Sequence, residues 1–452
     1  MGRLFGTDGA RGVAITELTC ELAMNIGRAA ALVLTKSKPA GEKAKILIGK
    51  DTRVSSDILE AALTAGIMSV GADAVKLGVV PTPAVAYLVK HEKADAGVMI
   101  SASHNSVEYN GIKLFAGTGF KLPDEVENEI EALILDTPEQ ILLKNGTEVG
   151  RVTELDDAAE MYVDHLVSCA GIKNKGLRII ADCANGSASA TALSLFGKLG
   201  VRCDIINANP DGCNINENCG STHIERLQEK MKSGKYDVGV AFDGDADRCL
   251  AVDETGALVD GDRLIAMISG KMKAEGKLKR DTAVVTVMSN LGFHTYMTEH
   301  GINTVCTKVG DRYVLEEMLK SGYNIGGEQS GHIIFLDHAT TGDGQLTAVK
   351  LISMLSQTDR KLSEYNSEFM EYPQLLMNVK ITEDKKGLWD KNEAILAAIG
   401  EAENELGSSG RVLVRESGTE PLVRVMIEGK DAALVEKHTN RIADAVRTEL
   451  CG

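Results

Sequence analysis

The run Asp243-Gly244-Asp245-Ala246-Asp247-Arg248 sets three carboxylates on alternate residues with an arginine beside them. Crowded carboxylates disfavour one another's ionised form. A hard divalent cation with oxygen ligands removes that conflict. The spacing lets one short loop wrap an ion from one side and leave a face open, and an open face on Mg²⁺ meets phosphate oxygens. Arg248 points the same way, because arginine is a bidentate partner of phosphate. The rival is an EF-hand, with Asp243, Asp245, Asp247 and Glu254 as its first, third, fifth and twelfth residues. Its sixth position must be glycine and is Arg248. Its leading helix is missing too, since residues 236–242 read as a buried strand. An inert, solvated acidic turn stays open as an alternative on this loop alone.

Four further loops could carry chemistry. Ile100-Ser101-Ala102-Ser103-His104-Asn105 follows a strand and exposes serines at its end. It lacks the glycines of a hydrolase nucleophile elbow. His104, as the immediate neighbour, is poorly placed to be the base for Ser103. Arg415-Glu416-Ser417-Gly418-Thr419-Glu420-Pro421 joins hydroxyls to a glycine, a sequence that can expose backbone N–H groups as an anion nest. Arg415 and Arg424 flank it, although an ordinary hairpin would read similarly. Gly326-Gly327-Glu328-Gln329-Ser330-Gly331-His332 combines a carboxylate, an amide, a hydroxyl and an imidazole, which suits sugar hydroxyls; His332 alone could equally be a core histidine. Phe5-Gly6-Thr7-Asp8-Gly9-Ala10-Arg11-Gly12 is a glycine-rich loop with one arginine.

Strand and helix patterns alternate in three blocks that must position these loops. The first predicts strands over 45–49, 74–78 and 96–101, with helices over 56–70 and 82–90. The second predicts strands over 177–181, 201–206 and 237–242, with helices over 187–199 and 222–232. The third predicts helices over 262–273, 291–301 and 311–320, with strands over 283–288, 304–308 and 323–326. Such alternation implies α/β units with buried, largely parallel strands. Ligand loops then lie at the carboxyl ends of strands, where Ser103, Asp243 and Glu328 fall. Beyond Tyr372-Pro373 the pattern changes to paired strands, 411–415 and 423–428, with two helices. The expected domains are 1–155, 156–255, 256–372 and a small α+β domain over 373–452.

The 452 residues exceed one core, and 44% hydrophobic with 25% charged residues is ordinary for a soluble protein. No run of ~20 apolar residues predicts a membrane span. The N-terminus lacks the apolar region of a signal peptide, so a cytoplasmic location is expected. Nine scattered cysteines without a C-x-x-C pair read as free thiols in a reducing compartment. A net charge of −16 argues against nucleic acid and anionic membrane as partners. An anionic substrate must then be drawn in by a locally basic site.

Taken together and in order, the S-A-S-H-N, D-G-D-A-D-R, G-E-Q-S-G-H and R-E-S-G-T-E-P loops resemble those of the α-D-phosphohexomutase superfamily across the whole chain. The start Gly2-Arg3-Leu4-Phe5-Gly6-Thr7-Asp8-Gly9-Ala10-Arg11-Gly12, Glu328-Gln329-Ser330 and Ala339-Thr340-Thr341-Gly342-Asp343-Gly344 are similar to its bacterial branch acting on glucosamine phosphates. The resemblance implies three related mixed-sheet α/β domains plus a small C-terminal α+β domain around a central cleft. It implies an isomerase that converts glucosamine 6-phosphate to glucosamine 1-phosphate for UDP-N-acetylglucosamine and cell-wall precursor synthesis. The alternative is a phosphomannomutase/phosphoglucomutase of the same mechanism. By position, Ser103 would carry the phosphoryl group, and Asp243, Asp245, Asp247 and a phosphoryl oxygen on Ser103 would bind Mg²⁺. Arg11, Lys113, Arg248 and His332 would flank the reacting centre, with Lys113 or His332 as base. Glu328 and Ser330 would read the sugar; Arg415, Ser417, Gly418, Thr419 and Arg424 would hold the second phosphate. Glucosamine 1,6-bisphosphate or glucose 1,6-bisphosphate would activate, and a homodimer is left open. Ser106 departs from the proline that many relatives carry there, which bears on loop rigidity.

Overall fold

A computed structural model describes residues 3–6, 8–36, 38–39, 41–173, 176–417 and 421–451. The chain forms two compact units, one running through Met288 and resuming over Gly301–Ser367, the other made of Ser289–His300 and the residues from Glu368 onward. The first unit holds three mixed sheets. The largest has six strands in the order Ala10–Val13, Tyr109–Ala116, Ala96–Ile100, Lys45–Lys50, Asp73–Val79, Val152–Glu154. The second orders Leu258–Val259, Cys249–Asp253, Val238–Phe242, Arg178–Asp182 and Arg202–Ile206. The third orders Asn303–Thr307, Thr282–Thr286, Ile325–Gly327 and Ile333–Phe335.

Strands Ala96–Ile100, Val238–Phe242 and Thr282–Thr286 are buried along their whole length, which is why they read as unbroken apolar runs. Each pairs in parallel with neighbours, as the alternation predicts. One device recurs in all three sheets. A parallel strand ends in a short loop, and the chain returns as an antiparallel strand beside it. The pairs are Ala96–Ile100 with Tyr109–Ala116, Val238–Phe242 with Cys249–Asp253, and Ile325–Gly327 with Ile333–Phe335. The loops at these turns carry Ser103, the three aspartates and Glu328. These return strands make each sheet mixed, as the resemblance implies.

Helices Cys20–Leu34 and Val54–Ser69 cross closely on the first sheet. A methyl group on Gly66 would lie 2.2 Å from the Met24 carbonyl oxygen, and one on Gly27 would lie 2.7 Å from that of Leu63. Only glycine permits that approach. Their apolar faces, with Ile26, Leu59 and Leu63, close the core over Ile46, Ile48 and Val98. The helix expected over 187–199 is instead a 3₁₀ turn, Ser187–Ala190, followed by the α-helix Ala192–Lys198. The Thr191 hydroxyl donates to the Ala188 carbonyl at 3.2 Å, a local bond that competes with a continuous helix.

The second unit is the expected α+β arrangement. Its antiparallel sheet orders Gln374–Lys380, Leu422–Gly429 and Gly410–Glu416, with helices Glu393–Leu406 and Ala432–Leu450 packed on it. Val379, Ile395, Val425 and Ile442 sit in that core. Helix Leu291–Glu299 belongs to this unit, although its chain neighbours are strands of the third sheet. Its first amide donates to the buried Glu428 at 2.7 Å, and Asn290 exchanges two 3.0 Å bonds with Tyr372. Among the described residues, no helix is long and apolar enough to cross a membrane.

Candidate active site

Ser103 sits just past Ala96–Ile100 with φ +53°, in the left-handed region. A non-glycine residue there needs outside support. That support comes from a buried ion pair. Arg53 bonds Asp51 at 2.9 Å through Nε, and both side chains are fully buried. Its other nitrogens donate to the carbonyls of Ser103, Asn105 and Ser106 at 3.0, 2.9 and 2.7 Å. Asn216, from the loop after strand Arg202–Ile206, donates to the Ser103 carbonyl at 2.9 Å. The loop is thus held by its carbonyls, which any residue at 106 supplies, so Ser106 keeps it fixed without proline. The Ser103 hydroxyl donates to Asp243 at 2.6 Å. His104 Nδ1 is farther, at 3.4 Å, and does not take that proton.

The three aspartates converge behind the serine, with candidate ligand oxygens all within 4.8 Å of one another. All three are buried. Burial, with Asp247 and Asp245 beside it, pushes the Asp243 carboxyl up to about 8. Asp247 goes the other way: burial is outweighed by Lys113 and His332, which hold it well below the carboxylate range. One oxygen each of Asp245 and Asp247 is buried without a hydrogen-bond partner. Two orphaned carboxylate oxygens beside a third carboxylate fit a hard divalent cation. This is the one metal-capable acidic, histidine or cysteine cluster among the described residues.

Cations close around the triad in a ring of alternating charge. Lys113 lies 2.8 Å from Asp245, 3.4 Å from Asp247 and 2.9 Å from Asp8. Asp8 also pairs with Arg11 and, at 2.6 Å, with Lys121. Lys121 reaches Asp311 at 2.6 Å, Asp311 lies 3.3 Å from His332, and His332 Nδ1 lies 3.6 Å from Asp247. Arg11 reaches the Ala102 carbonyl, next to Ser103, at 3.5 Å. Arg248 Nε stands 3.9 Å from Asp247. Burial opposes the charge on Lys113, yet Asp245, Asp8 and Asp247 raise its pKa well above the ordinary value. Those three carboxylates favour its ammonium form. His332 Nε2 lies 3.1 Å from the Gly342 amide and 3.3 Å from Asp311, while its Nδ1 faces Asp247. A methyl on Gly342 would lie 2.4 Å from that ring, which explains the glycine in Thr341-Gly342-Asp343.

Glu328 ends strand Ile325–Gly327 and accepts the Gly310 amide at 3.2 Å. Burial raises its pKa, with Asp311 adding to the rise and His332 and Arg248 opposing it. Ser330 is exposed. Gln329 is directed elsewhere: its amide donates to Asp260 at 3.1 Å, at the start of helix Gly261–Ala274. That bond anchors the loop to the helix start.

Arg415 and Arg424 belong to the second unit. They sit directly opposite each other on adjacent strands, an arrangement that is unfavourable for like charges without an anion. Burial, then Arg424, lowers the pKa of Arg415. Arg424 Nε is buried without a hydrogen-bond partner. Ser417 is buried, and its amide donates to the Leu422 carbonyl at 2.9 Å. Gly418 and Thr419 lie outside the described residues.

Asp8, Asp51, Arg53, Thr82, Asn216, Lys121 and Asp311 escape the sequence reading. Asp8 sat in a loop already noted for its arginine. The others carry no local motif and become legible only through contacts far along the chain, such as the Thr82 hydroxyl on Asp245 at 2.5 Å.

Four domain families match the chain in order. They are Phosphoglucomutase/phosphomannomutase, alpha/beta/alpha domain I over residues 2–140, domain II over 160–256, domain III over 260–372, and the C-terminal domain over 376–445. The chain therefore belongs to the phosphoglucomutase/phosphomannomutase family. Its full-length relatives include phosphoglucosamine mutases. Those of Caldicellulosiruptor saccharolyticus and Brevibacillus brevis are each 52% identical over 100% of both chains. That of Clostridium perfringens is 53% identical over 99% of this chain and 100% of its own. The fold recurs in a phosphoglucomutase/phosphomannomutase family protein from Burkholderia thailandensis, with TM-score 0.82, 23% identity and coverage of 98% and 97%. It recurs also in Aspergillus fumigatus N-acetylphosphoglucosamine mutase, solved with GlcNAc-6P and magnesium, with TM-score 0.71, 19% identity and coverage of 98% and 95%.

Proposed function

We propose that this phosphohexomutase interconverts glucosamine 6-phosphate and glucosamine 1-phosphate through a phosphoserine at Ser103 and a 1,6-bisphosphate. The observation that carries the reading is the Ser103 hydroxyl bonded to Asp243 at 2.6 Å, with the triad behind it. A serine in that position is a phosphoryl carrier whose charge must be neutralised. Asp243, Asp245 and Asp247, with an oxygen on phospho-Ser103, would hold Mg²⁺, which supplies charge neutralisation to the transferring group. Lys113, Arg11, Arg248 and His332 surround the same point and stabilise its charge from the protein side. Glu328 and Ser330 hydrogen-bond sugar hydroxyls. Arg415, Ser417, Gly418, Thr419 and Arg424 hold the phosphate that is not reacting. The sugar O1 gives its proton to a base, Lys113 or His332, and takes the phosphoryl group as its bond to Ser103 Oγ breaks and that oxygen is reprotonated. The bisphosphate then turns end for end, and Ser103 takes back the 6-phosphoryl. Glucosamine 1,6-bisphosphate or glucose 1,6-bisphosphate restores the phosphoserine when it is lost.

The product feeds UDP-N-acetylglucosamine synthesis in the cytoplasm, and the domains divide at 155, 255 and 372. Intact-mass and peptide mass spectrometry of the purified protein tests the reading. One phosphate is expected, on Ser103, exchanging with substrate. A protein that turns over substrate with no phosphate ever on Ser103 overturns it.

A further inference from the structure

The first unit contains a second cavity, of about 660 Å³, between helix Gly261–Ala274, helix Gly344–Ser356 and residues 168–171. None of its lining residues belongs to the site described above. Its volume falls within the ~300–1,000 Å³ of small-molecule sites. Ile268, Met272, Phe335 and Met354 give it an apolar floor. Lys271, Lys277, Lys279 and Lys350 give it charge, against two carboxylates, Glu275 and Asp337. Those carboxylates are taken. Glu275 pairs with Lys271 at 3.0 Å and Lys277 at 2.7 Å, and Asp337 pairs with Lys279 at 2.6 Å.

Lys350 has no carboxylate partner among the described residues. Its ammonium donates to the Cys169 carbonyl at 3.0 Å and to His338 Nε2 at 3.1 Å. His338 gives no compensating charge: burial, then Lys350, lowers its pKa to about 4, so it is neutral. Burial likewise lowers the pKa of Lys350. A half-buried cation with only neutral acceptors gains from an anion, since pairing offsets its lost hydration. In a chain of net charge −16, a cavity with excess ammonium groups over an apolar floor is a local exception.

We propose that this cavity binds a small anionic molecule with a flat apolar body, its anionic group on Lys350 and its body against Phe335 and Met272. The walls connect it to the catalytic loops. The amide of Gly261, which opens one helix, donates to the Gln329 carbonyl of the sugar loop at 2.9 Å. The amide of Gly344, which opens the other, donates to the Ala246 carbonyl of the metal loop at 3.0 Å.

The test is a fluorescence titration of the Mg²⁺-loaded full chain with 8-anilinonaphthalene-1-sulfonate, an anion of that shape. Saturating glucosamine 6-phosphate is present throughout, so that the active site is occupied. One saturable class of sites is expected, weakened at least tenfold in Lys350→Glu, with kcat within twofold of the parent. Equal affinity in parent and Lys350→Glu overturns the proposal, as does the absence of any saturable binding to the parent. If Lys350→Glu does not fold by circular dichroism, Lys277→Glu/Lys279→Glu at the exposed rim replaces it. Unchanged affinity in that variant is equally fatal.

Discussion

At Asp243 two demands meet. Its carboxylate is needed as a metal ligand, yet burial with Asp247 and Asp245 nearby raises its pKa to about 8. Metal binding requires the deprotonated form, so a proton must leave as the ion enters. The sign follows from the shift. A carboxyl that titrates higher folded than unfolded favours the metal-free fold at low pH and loses that contribution as pH rises from about 4 to about 8. The affinity for Mg²⁺ moves oppositely, climbing toward tenfold per pH unit below about 8 and levelling above it. Calorimetric titration of metal-stripped protein between pH 6 and 8.5 measures this, and a flat affinity contradicts it. Replacing Asp245 with Asn removes one charged ligand, so more Mg²⁺ should be needed and kcat should fall by an order of magnitude or more. Activity that survives full chelation of the wild type refutes the metal loop outright. Ser103→Ala removes the acceptor itself. It should abolish turnover while leaving the thermal midpoint within a few degrees, because a buried hydroxyl bond contributes only ~1 kcal/mol. Substantial turnover by a rigorously pure mutant would falsify the carrier assignment.

Among the elements, the serine loop depends on a pair that no motif announces. Arg53 precedes helix Val54–Ser69 and belongs to none of the motifs read from the sequence. In the fold it is fully buried on Asp51 and holds three carbonyls of the loop. Arg53→Met should cost ~3–5 kcal/mol, because it strands a buried carboxylate. Arg53→Met with Asp51→Asn should recover part of that loss, while kcat stays low in both because the loop carbonyls have lost their donor. Denaturant melts of the three proteins check the order, and equal stability of single and double variants contradicts it. The same contrast marks what was legible. The strands ending at residues 100, 242 and 286 are readable because burial on both faces makes them largely apolar runs. Their return strands are less so: Tyr109–Ala116 mixes Asn110, Gly111 and Lys113 with apolar residues, and Ile333–Phe335 is three residues long. Lys113 was placed by its resemblance to relatives, whereas its ion pairs with Asp8, Asp245 and Asp247 depend on pairing across loops distant in sequence. Gln329 shows the limit in the other direction, since its type suits a sugar but its amide is committed to Asp260.

For the whole molecule, the question is which sugar phosphate the charge distribution favours. The chain carries −16, so an anionic substrate must be drawn in by local cations such as Lys113, Arg11 and Arg248. Glucosamine differs from glucose at the 2-position, where it offers an amine that is a cation when protonated. With Gln329 held by Asp260, the candidates to read that amine are Glu328 and Ser330. Glu328 is half-buried beside Arg248 and His332, and only its carboxylate form supplies the complementary charge. A buried polar group left unpaired by the wrong sugar discriminates through its own desolvation. A single position distinguishes glucosamine from glucose, so the preference for glucosamine 6-phosphate in kcat/KM should be about 10- to 100-fold, or ~1.4–3 kcal/mol in transition-state binding. Mannose 6-phosphate, with its 2-hydroxyl inverted, should do no better than glucose 6-phosphate. Glu328→Gln keeps the shape and removes the charge, so it should narrow the glucosamine preference more than it changes turnover of glucose 6-phosphate. Side-by-side kinetics of both proteins on the three sugars, each with its matching bisphosphate, decide this. Equal or better kcat/KM with mannose 6-phosphate would move the chain to the phosphomannomutase/phosphoglucomutase reading while leaving Ser103, the aspartates and the arginine pair in their roles.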